Sequence, residues 1–253
     1  MRNEFFVDYL RVIICDTREE LGAVAADETA EYLKSFLEAH TECSVVFAAA
    51  PSQNEFLDHL SRIQGIDWPK IQAFHMDEYI DLADDAPQRF SRYLDEHIFS
   101  KVPFQKVNYL NPEDKLLLAA YDALFRHGHA DVCFMGIGEN GHIAFNDPDV
   151  ANLFDTYYFK QVSLDDACRM QQVHDGCFAA IEEVPKRAVS LTVPALLRSS
   201  RLFCMVPGHT KAKAVREMLC GPIGMSCPAS SLRLHTNATL YLDRDSAQYL
   251  ELS

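Results

Sequence analysis

The chain has 253 residues, of which 48% are hydrophobic and 24% are charged. This composition is typical of a globular protein with a sizeable core, and it excludes a disordered chain or a small disulfide-stapled scaffold. Lys and Arg number 23 against 37 Asp and Glu, so the formal net charge is −14. Because such a surface repels phosphate backbones and anionic lipids, we expect neither nucleic acid nor a membrane as a partner. An anionic ligand would have to be held by a few local cations and backbone donors.

The cysteines and the amino terminus indicate a reducing compartment. The eight cysteines are irregularly spaced and include no C-x-x-C pair, which favours buried free thiols over a zinc site or a disulfide framework. The first residues lack the apolar run of a signal peptide, and no stretch of about 18 apolar residues occurs. We therefore expect a soluble, cytoplasmic protein.

Short apolar runs alternate with amphipathic stretches along the chain. In chain order the pattern predicts a strand at 11–15, a helix from 17 to about 37, a strand at 44–50, a helix after 53, a strand at 72–76, a helix near 90–98, a strand at 106–110, a helix at 116–127, strands at 131–135, 159–164, 188–193 and 202–206, a helix at 211–220 and a strand at 239–242. Thr17 and Glu20 form a capping box at the start of the first helix.

Strands of this length that alternate with helices predict an α/β fold. Its sheet would be doubly wound, mostly parallel and covered by helices on both faces, in a Rossmann-like arrangement. No repeat, low-complexity segment or linker divides the chain, so residues 1–253 are predicted to form a single domain.

Ligands of doubly wound sheets bind beyond the carboxyl ends of the strands, and the loop after residue 135 lies at such an end. Gly136, Gly138 and Gly141 spell G-x-G-x-x-G, a dinucleotide fingerprint. That motif needs a helix at its end, whereas a polar loop follows here. The loop can instead present His142 for proton transfer, with Asp147 fixing its tautomer. The alternative is a loop histidine that binds a backbone carbonyl.

Two adjacent acids, Asp77 and Glu78, follow another predicted strand. Consecutive side chains can point to opposite sides, so one carboxylate can face the cleft while the other faces away. A carboxylate that loses its water there has a raised pKa and becomes a usable base. The alternative is a solvated acidic turn.

Two further strand ends suit an anion. Ser52 follows the small residues 48–50 and precedes a helix, where a hydroxyl and backbone N–H groups can bind an anion. Lys211 follows the turn at Gly208, and a cation there is disfavoured by the helix dipole unless an anion is bound. The alternatives are a helix-capping serine and a solvated lysine.

Metal and serine-hydrolase signatures are absent from the sequence. It contains no H-E-x-x-H motif, cysteine pair, EF-hand loop or G-x-S-x-G elbow. His127 with His129, or His142 with Asp147, could offer ligands, but we expect no metal site.

Four segments resemble, in the same order, successive motifs of the glucosamine-6-phosphate deaminase/isomerase family. These segments are F-H-M-D-E-Y at 74–79, M-G-I-G-E-N-G-H-I-A-F-N-D-P at 135–148, V-P-K at 184–186 and G-H-T-K-A at 208–212. The resemblance runs from residue 11 to about 243. It implies the doubly wound α/β sheet that this family shares with 6-phosphogluconolactonases and ribose-5-phosphate isomerase-like proteins.

The resemblance also implies catalytic roles. His142 would move the proton that opens the sugar ring, oriented by Asp147 and accompanied by Asn140. Asp77 would take the C2 proton of the open-chain amino sugar during aldose to ketose isomerisation. Addition of water and loss of ammonia would then give a ketose 6-phosphate.

For substrate binding, the resemblance implies that Lys211 clamps the phosphate of a small phosphosugar. Ser52 and backbone N–H groups, with Gly138 in the glycine-rich loop, would complete the site. No metal or organic cofactor is required, because the substrate's own amine and carbonyl carry the electrons. Family members range from monomers to hexamers, so a homo-oligomer is compatible with the resemblance.

The chain also departs from the family pattern. Asn140 replaces an acid that most relatives have, and Asp147 replaces a glutamate. A-A-A-P-S-Q at 48–53 replaces the phosphate loop P-T-G-G-T-P, and D-G-C-F at 175–178 lacks an arginine. Lys160 loosely matches another family cation. The altered anion pocket leaves open which sugar is bound and where its phosphate lies.

Three readings of the function follow. The resemblance favours a deaminase and isomerase that acts on glucosamine 6-phosphate or galactosamine 6-phosphate. The nearest alternatives are a sugar-phosphate isomerase without deamination and a phosphosugar lactonase. The altered phosphate loop also permits a non-catalytic sugar-phosphate sensor.

Overall fold

A computed structural model of the chain describes residues 3–111, 121 and 128–251. The strands are β1 (Asn3–Val7), β2 (Leu10–Ile14), β3 (Cys43–Phe47), β4 (Ile71–His75), β5 (Asp77–Tyr79), β6 (Lys106–Asn108), β7 (Val132–Met135), β8 (Phe159–Ser163), β9 (Arg187–Leu191), β10 (Arg201–Val206) and β11 (Ala238–Leu242). The α-helices are α1 (Arg18–Ala39), α2 (Asn54–Arg62), α3 (Phe90–Leu94), α4 (Asp166–His174), α5 (Val193–Leu197) and α6 (Ala212–Cys220). The helix predicted at 116–127 lies outside the described residues.

The main sheet has eight strands in the order β1-β2-β11-β10-β7-β3-β4-β6. All neighbouring pairs are parallel except β1 and β2. The chain winds outward from β3 through β4 to β6, and later from β7 through β10 to β11 in the opposite direction. A crevice is expected beyond the carboxyl ends of β3 and β7, where the winding reverses. The predicted doubly wound α/β fold is confirmed.

Both faces of this sheet are packed, as parallel strands require. Phe47 of β3 belongs to an apolar cluster with the buried residues of α1 and α2, such as Leu33 and Phe56. Its neighbour Val46 points the other way, into a second cluster that includes Val215 of α6. Helices therefore cover the sheet on both sides.

The prediction treated residues 159–164 and 188–193 as strands of the same series, and that is wrong. They form β8 and β9, which pair antiparallel with each other, and β9 also pairs antiparallel with β5 in a separate three-stranded sheet. The partly exposed residues of β8 suit a sheet with one solvated face. In this small sheet Asp77 pairs with Ser190. The sheet therefore fixes the position of the segment that follows β4.

Strand β1 was not predicted. Its residues are mostly exposed or half-buried, and it pairs with β2 as an antiparallel edge. An edge strand with little buried surface carries a weak hydrophobic pattern, so this strand depends on its partner more than on its own sequence.

The start of α1 confirms half of the predicted capping box. Thr17 Oγ1 accepts a hydrogen bond from the Glu20 N–H at 3.2 Å. Glu20 Oε2 accepts from the Asp16 N–H at 2.7 Å rather than from Thr17. The Glu20 carboxylate thus binds the N–H of Asp16, one residue before the Thr17 N–H that the capping box implies.

The cysteines are free, and six of the eight are buried, as expected. Cys177 is half-buried and Cys220 is exposed. Along the described ranges, no helix combines the length and apolar character needed to cross a membrane.

We predict that Gly22→Ala destabilises the protein. An added Cβ would lie 2.6 Å from Glu55 Cβ and 2.9 Å from the Phe56 nitrogen, so α1 and α2 would have to separate. The expected loss of about 1 to 3 kcal/mol outweighs the roughly 1 kcal/mol that alanine adds to helix propensity. Urea unfolding measures it, with Gly128→Ala as the control because no atom of the described residues lies within 4 Å of that added Cβ. A stabilised Gly22→Ala protein would contradict this helix contact.

Candidate active site

A cleft of about 560 Å³ opens beyond the carboxyl ends of β3 and β7. Five of the seven residues predicted from the sequence to form the site line it, namely Ser52, Asp77, Gly138, His142 and Lys211. The remaining two, Asn140 and Asp147, do not line the cleft but contact Nδ1 of the His142 ring. The fold thus brings the four strand ends singled out in the sequence into one place.

His142 is held by two side chains at a single ring nitrogen. Nδ1 lies 2.9 Å from Asp147 Oδ1 and 2.8 Å from Asn140 Oδ1. The Asn140 amide in turn donates to Asp147 Oδ1 at 3.0 Å. Because both neighbours of Nδ1 are acceptor oxygens, the proton of neutral His142 resides on Nδ1 and leaves Nε2 as the basic nitrogen. The alternative of a histidine bound to a backbone carbonyl is wrong.

Asp147 is a buried carboxylate with an exposed fraction of 1%. Burial alone raises its pKa, but hydrogen bonds from His142 and Asn140 outweigh that effect and hold the pKa of Asp147 below its usual value. Asp147 therefore stays ionised beside His142 and can stabilise a positive charge on the ring.

The glycine-rich loop serves His142 and not a dinucleotide. A Cβ on Gly138 would lie 2.1 to 2.4 Å from three atoms of the His142 ring, so only glycine permits this ring position. The Gly138 N–H donates to the His142 carbonyl at 2.9 Å, and Gly141 has a φ of +82°. Residues 143–148 continue as turns without a helix, and the phosphate-binding helix of a Rossmann site is missing there.

The two adjacent acids point to opposite sides, as predicted, and the alternative of a solvated acidic turn is wrong. Asp77 faces the cleft with an exposed fraction of 6%. Glu78 accepts from the N–H groups of Tyr79, Phe90 and Ser91 at 3.0 to 3.1 Å and caps α3. Burial, with a smaller contribution from the Glu78 charge, raises the pKa of Asp77 well above its usual value.

His75 fixes the backbone of Asp77, a role that the sequence did not indicate. Its Nδ1 lies 2.9 Å from the Asp77 carbonyl, and its Nε2 accepts from the Leu110 N–H at 2.6 Å. Burial lowers the pKa of His75 to about 4, so the ring is neutral near pH 7 and can both donate and accept.

Lys211 supplies a buried cation to the other part of the site. Its exposed fraction is only 5%, so the alternative of a solvated lysine is wrong. Within the described ranges, no acid forms an ion pair with it. Burial lowers its pKa, while the charges of Asp175 and Glu139 act in the opposite direction. The preceding turn is shaped by Gly208, whose N–H donates to the Asp243 carboxylate at 2.9 and 3.1 Å.

Ser52 lies inside the helical turn Pro51–Gln53 that precedes α2. Its side chain caps neither that turn nor α2, so the capping interpretation is wrong. Its Oγ accepts from Gln53 Nε2 at 3.0 Å, which also lies 3.4 Å from the Met135 and Met205 carbonyls. Sequence reasoning missed Gln53, because a buried glutamine between two strand ends carries no local signal.

Helix α4 forms a wall of the cleft that was also missed. Gln171, Gln172 and Asp175 line it. Gln171 Oε1 accepts from the Glu139 N–H at 2.8 Å, and its Nε2 donates to Asp175 Oδ2 at 3.3 Å. The segment that lacks the family's arginine therefore contributes an acid to the wall.

Other sequence candidates lie elsewhere. Lys160 binds Asp155 at 2.7 Å and does not line the cleft. His129 Nε2 lies 2.8 Å from Ser200 Oγ, and His127 is outside the described residues. Potential metal-ligating atoms of His142, Asp147 and Cys168 lie within 4.8 Å of one another, but the first two already bind each other.

The chain is similar to known proteins over nearly its whole length. A family model described as Glucosamine-6-phosphate isomerases/6-phosphogluconolactonase matches residues 16–241. The chain is similar to glucosamine-6-phosphate deaminase 1 of Bacillus subtilis (strain 168), with 30% identity over 94% of this chain and 98% of the relative. It is also similar to glucosamine-6-phosphate deaminase of Colwellia psychrerythraea, with 29% identity over 96% of this chain and 91% of the relative.

Among solved structures, a monomeric glucosamine-6-phosphate deaminase superimposes with a TM-score of 0.83 and 28% identity, covering 94% of this chain and 98% of that one. A 6-phosphogluconolactonase from Thermotoga maritima superimposes with a TM-score of 0.72 and 19% identity, covering 92% and 98%. The latter likeness shows the fold alone.

We predict that Gly138→Ala displaces the His142 ring. The added methyl group would occupy the position of the ring, and a shift of about 1 Å in a positioned group costs roughly 100-fold in rate. Turnover should therefore fall by about that factor in a steady-state assay. Gly224→Ala is the matched control because nothing lies within 4 Å of its added Cβ. Equal rates for both variants would contradict the role of Gly138.

Proposed function

The chain belongs to the glucosamine-6-phosphate isomerase and 6-phosphogluconolactonase family, and we propose that it deaminates and isomerises an amino-sugar 6-phosphate, releasing ammonia and a ketose 6-phosphate. The observation that carries the proposal is the pair formed by Asp77 and His142. A buried carboxylate with a raised pKa and an oriented imidazole line the same cleft.

Ring opening is the task of His142. Its Nε2 takes the proton of the anomeric hydroxyl and delivers it to the ring oxygen as the C1–O5 bond breaks. Asp147 and Asn140 hold the ring through Nδ1, so the tautomer needed for this transfer is already in place. The charge of Asp147 stabilises the imidazolium while it carries the proton.

Isomerisation is the task of Asp77. Its carboxylate takes the C2 proton of the open-chain aldose while the substrate's own ammonium group gives a proton to the C1 oxygen, which yields an enolamine. The acid returns its proton to C1, leaving a protonated imine at C2. Water adds to this imine and ammonia leaves, so a ketone remains. Because burial raises the pKa of Asp77, the carboxylate is a stronger base than one in water.

The phosphate would be held where the cleft offers a cation. Lys211 and the Ser52 hydroxyl both line it, and backbone donors of the turns Pro51–Gln53 and His209–Lys211 lie beside them. A charge-assisted hydrogen bond from a buried ammonium can capture the anion against the formal net charge of −14.

A lactonase is the second candidate, supported by the 6-phosphogluconolactonase fold neighbours. Lactone hydrolysis needs no base at C2, so it would leave the buried carboxylate of Asp77 without a use. The relatives that match at 29% and 30% identity are named as deaminases. Both points favour deamination.

We predict that the protein exchanges the C2 proton of its amino-sugar phosphate and that Asp77→Asn abolishes this. The test incubates it in D2O with glucosamine 6-phosphate, galactosamine 6-phosphate or 6-phosphogluconolactone and follows proton NMR and ammonia. Loss of the C2 signal with release of ammonia is expected for one amino sugar. Asp77→Asn should lower turnover by at least about 1,000-fold, a loss of roughly 4 kcal/mol, and still bind the sugar.

The control is Asp58→Asn, an acid outside the cleft that pairs with Arg62. It should turn over at the wild-type rate. Exchange without ammonia would indicate an isomerase, and hydrolysis of the lactone alone would indicate a lactonase. Binding of a sugar without any reaction would favour a sensor. Undiminished turnover in Asp77→Asn would overturn the assignment of the base.

We predict opposite effects for two charges in the cleft. Lys211→Met should raise KM for the phosphosugar by roughly 10- to 100-fold, since a hydrogen bond to a charged group contributes about 1.5 to 3 kcal/mol. Asp175→Asn should lower KM, because it removes a negative charge from the wall while keeping the side-chain shape. Steady-state kinetics measures both, with Asp58→Asn as the control. A higher KM for Asp175→Asn would mean that Asp175 binds a hydroxyl of the sugar.

A further inference from the structure

Only one of the two oxygens of the Asp147 carboxylate, which orients His142, accepts hydrogen bonds from nitrogen donors. Asp147 Oδ1 receives the His142 Nδ1–H and the Asn140 amide at 2.9 and 3.0 Å. Asp147 Oδ2 is buried, and no donor of the described residues, thiols included, lies in hydrogen-bonding geometry to it. Leaving a buried carboxylate oxygen without a donor is costly. A neighbouring group is therefore expected to supply a proton.

The neighbour is the thiol of Cys168. Its Sγ lies within 4.8 Å of an Asp147 carboxylate oxygen and of a His142 ring nitrogen, and its exposed fraction is 1%. Burial, together with the charge of Asp147, raises the pKa of this thiol, so the sulfur keeps its proton and can donate it. Asp165 and Asp77 are the other acids that act on the thiol, in the same direction.

Cys168 has a fixed place because it lies in the first turn of α4. Asp165 caps that helix by accepting from the Cys168 N–H at 2.6 Å, which holds the cysteine backbone. The side chain does not line the cleft, so it cannot touch the substrate. Any effect on the reaction must pass through Asp147.

We propose that Cys168 is a positioning residue whose S–H interacts with the Asp147 carboxylate and so keeps Oδ1 directed at His142 Nδ1. Its catalytic consequence rests on the proposed function of His142. Since α4 also carries Gln171 and Asp175 of the cleft wall, a displacement of this helix by a bound sugar would reach His142 through the thiol.

The test compares variants with and without a donor at this position. Cys168→Ala and Cys168→Val remove it, the second with a similar side-chain volume, and Cys168→Ser retains it. Cys43→Ala is the matched control, because Cys43 is a buried thiol at the amino-terminal end of β3, the end opposite to the cleft. Carboxyl 13C NMR follows the titration of Asp147, whose signal is assigned by its loss in Asp147→Asn.

Loss of a donor to the carboxylate raises the pKa of Asp147. We expect an increase of about one unit in Cys168→Ala and Cys168→Val, and little change in Cys168→Ser and Cys43→Ala. In the deaminase assay, the Ala and Val variants should lose roughly 3- to 10-fold in kcat with KM unchanged, and Ser should restore most of the loss.

An Asp147 titration in Cys168→Ala that matches the wild type would overturn the proposal, as would a serine variant no better than alanine. The titration requires no turnover. If the wild-type protein leaves every sugar phosphate unchanged, the proposed function fails, while the NMR measurement still decides whether the thiol acts on Asp147.

Discussion

The site depends on how three buried carboxylates are partnered, because a buried charge is tolerated only with compensating donors. Glu78 takes three backbone N–H groups and caps α3. Asp147 takes donors from His142 and Asn140 and stays ionised. The Asp77 carboxylate accepts no hydrogen bond from the described residues, and burial raises its pKa. The same functional group thus serves as a cap in Glu78, as an orienter in Asp147 and, in the proposed function, as a base in Asp77, because its partners differ.

Much of this arrangement can be read from the sequence because it depends on local signals. Apolar runs locate most of the strands, and parallel strands bring their carboxyl ends to one edge, so Asp77, His142, Ser52 and Lys211 are found by position alone. The G-x-G-x-x-G pattern is the instructive failure. Its glycines are needed for contact with the His142 ring, and the pattern does not distinguish a ring from a pyrophosphate.

The unpredicted parts depend on contacts between distant segments. His75 acquires its role only when Leu110 lies beside it, and Gln53 only when two strand ends meet at its amide. Strand β5 joins the small antiparallel sheet by pairing with β9, whose residues lie more than a hundred positions away. Asp175 lines the cleft because α4 packs there, which no pattern within the helix encodes.

The proposed anion end shows how a glycine-poor loop can still offer donors to a phosphate. Gln53 Nε2 donates to Ser52 Oγ, so the amide occupies one lone pair of the hydroxyl oxygen. Ser52 donates to no described residue, and its proton remains for a ligand in the cleft. Beside it, Lys211 is buried without an ion pair to any described acid. Asp175 shares the cleft and opposes the charge of a bound anion. In the proposed function, the balance of these three side chains decides which sugar terminus the cleft accepts.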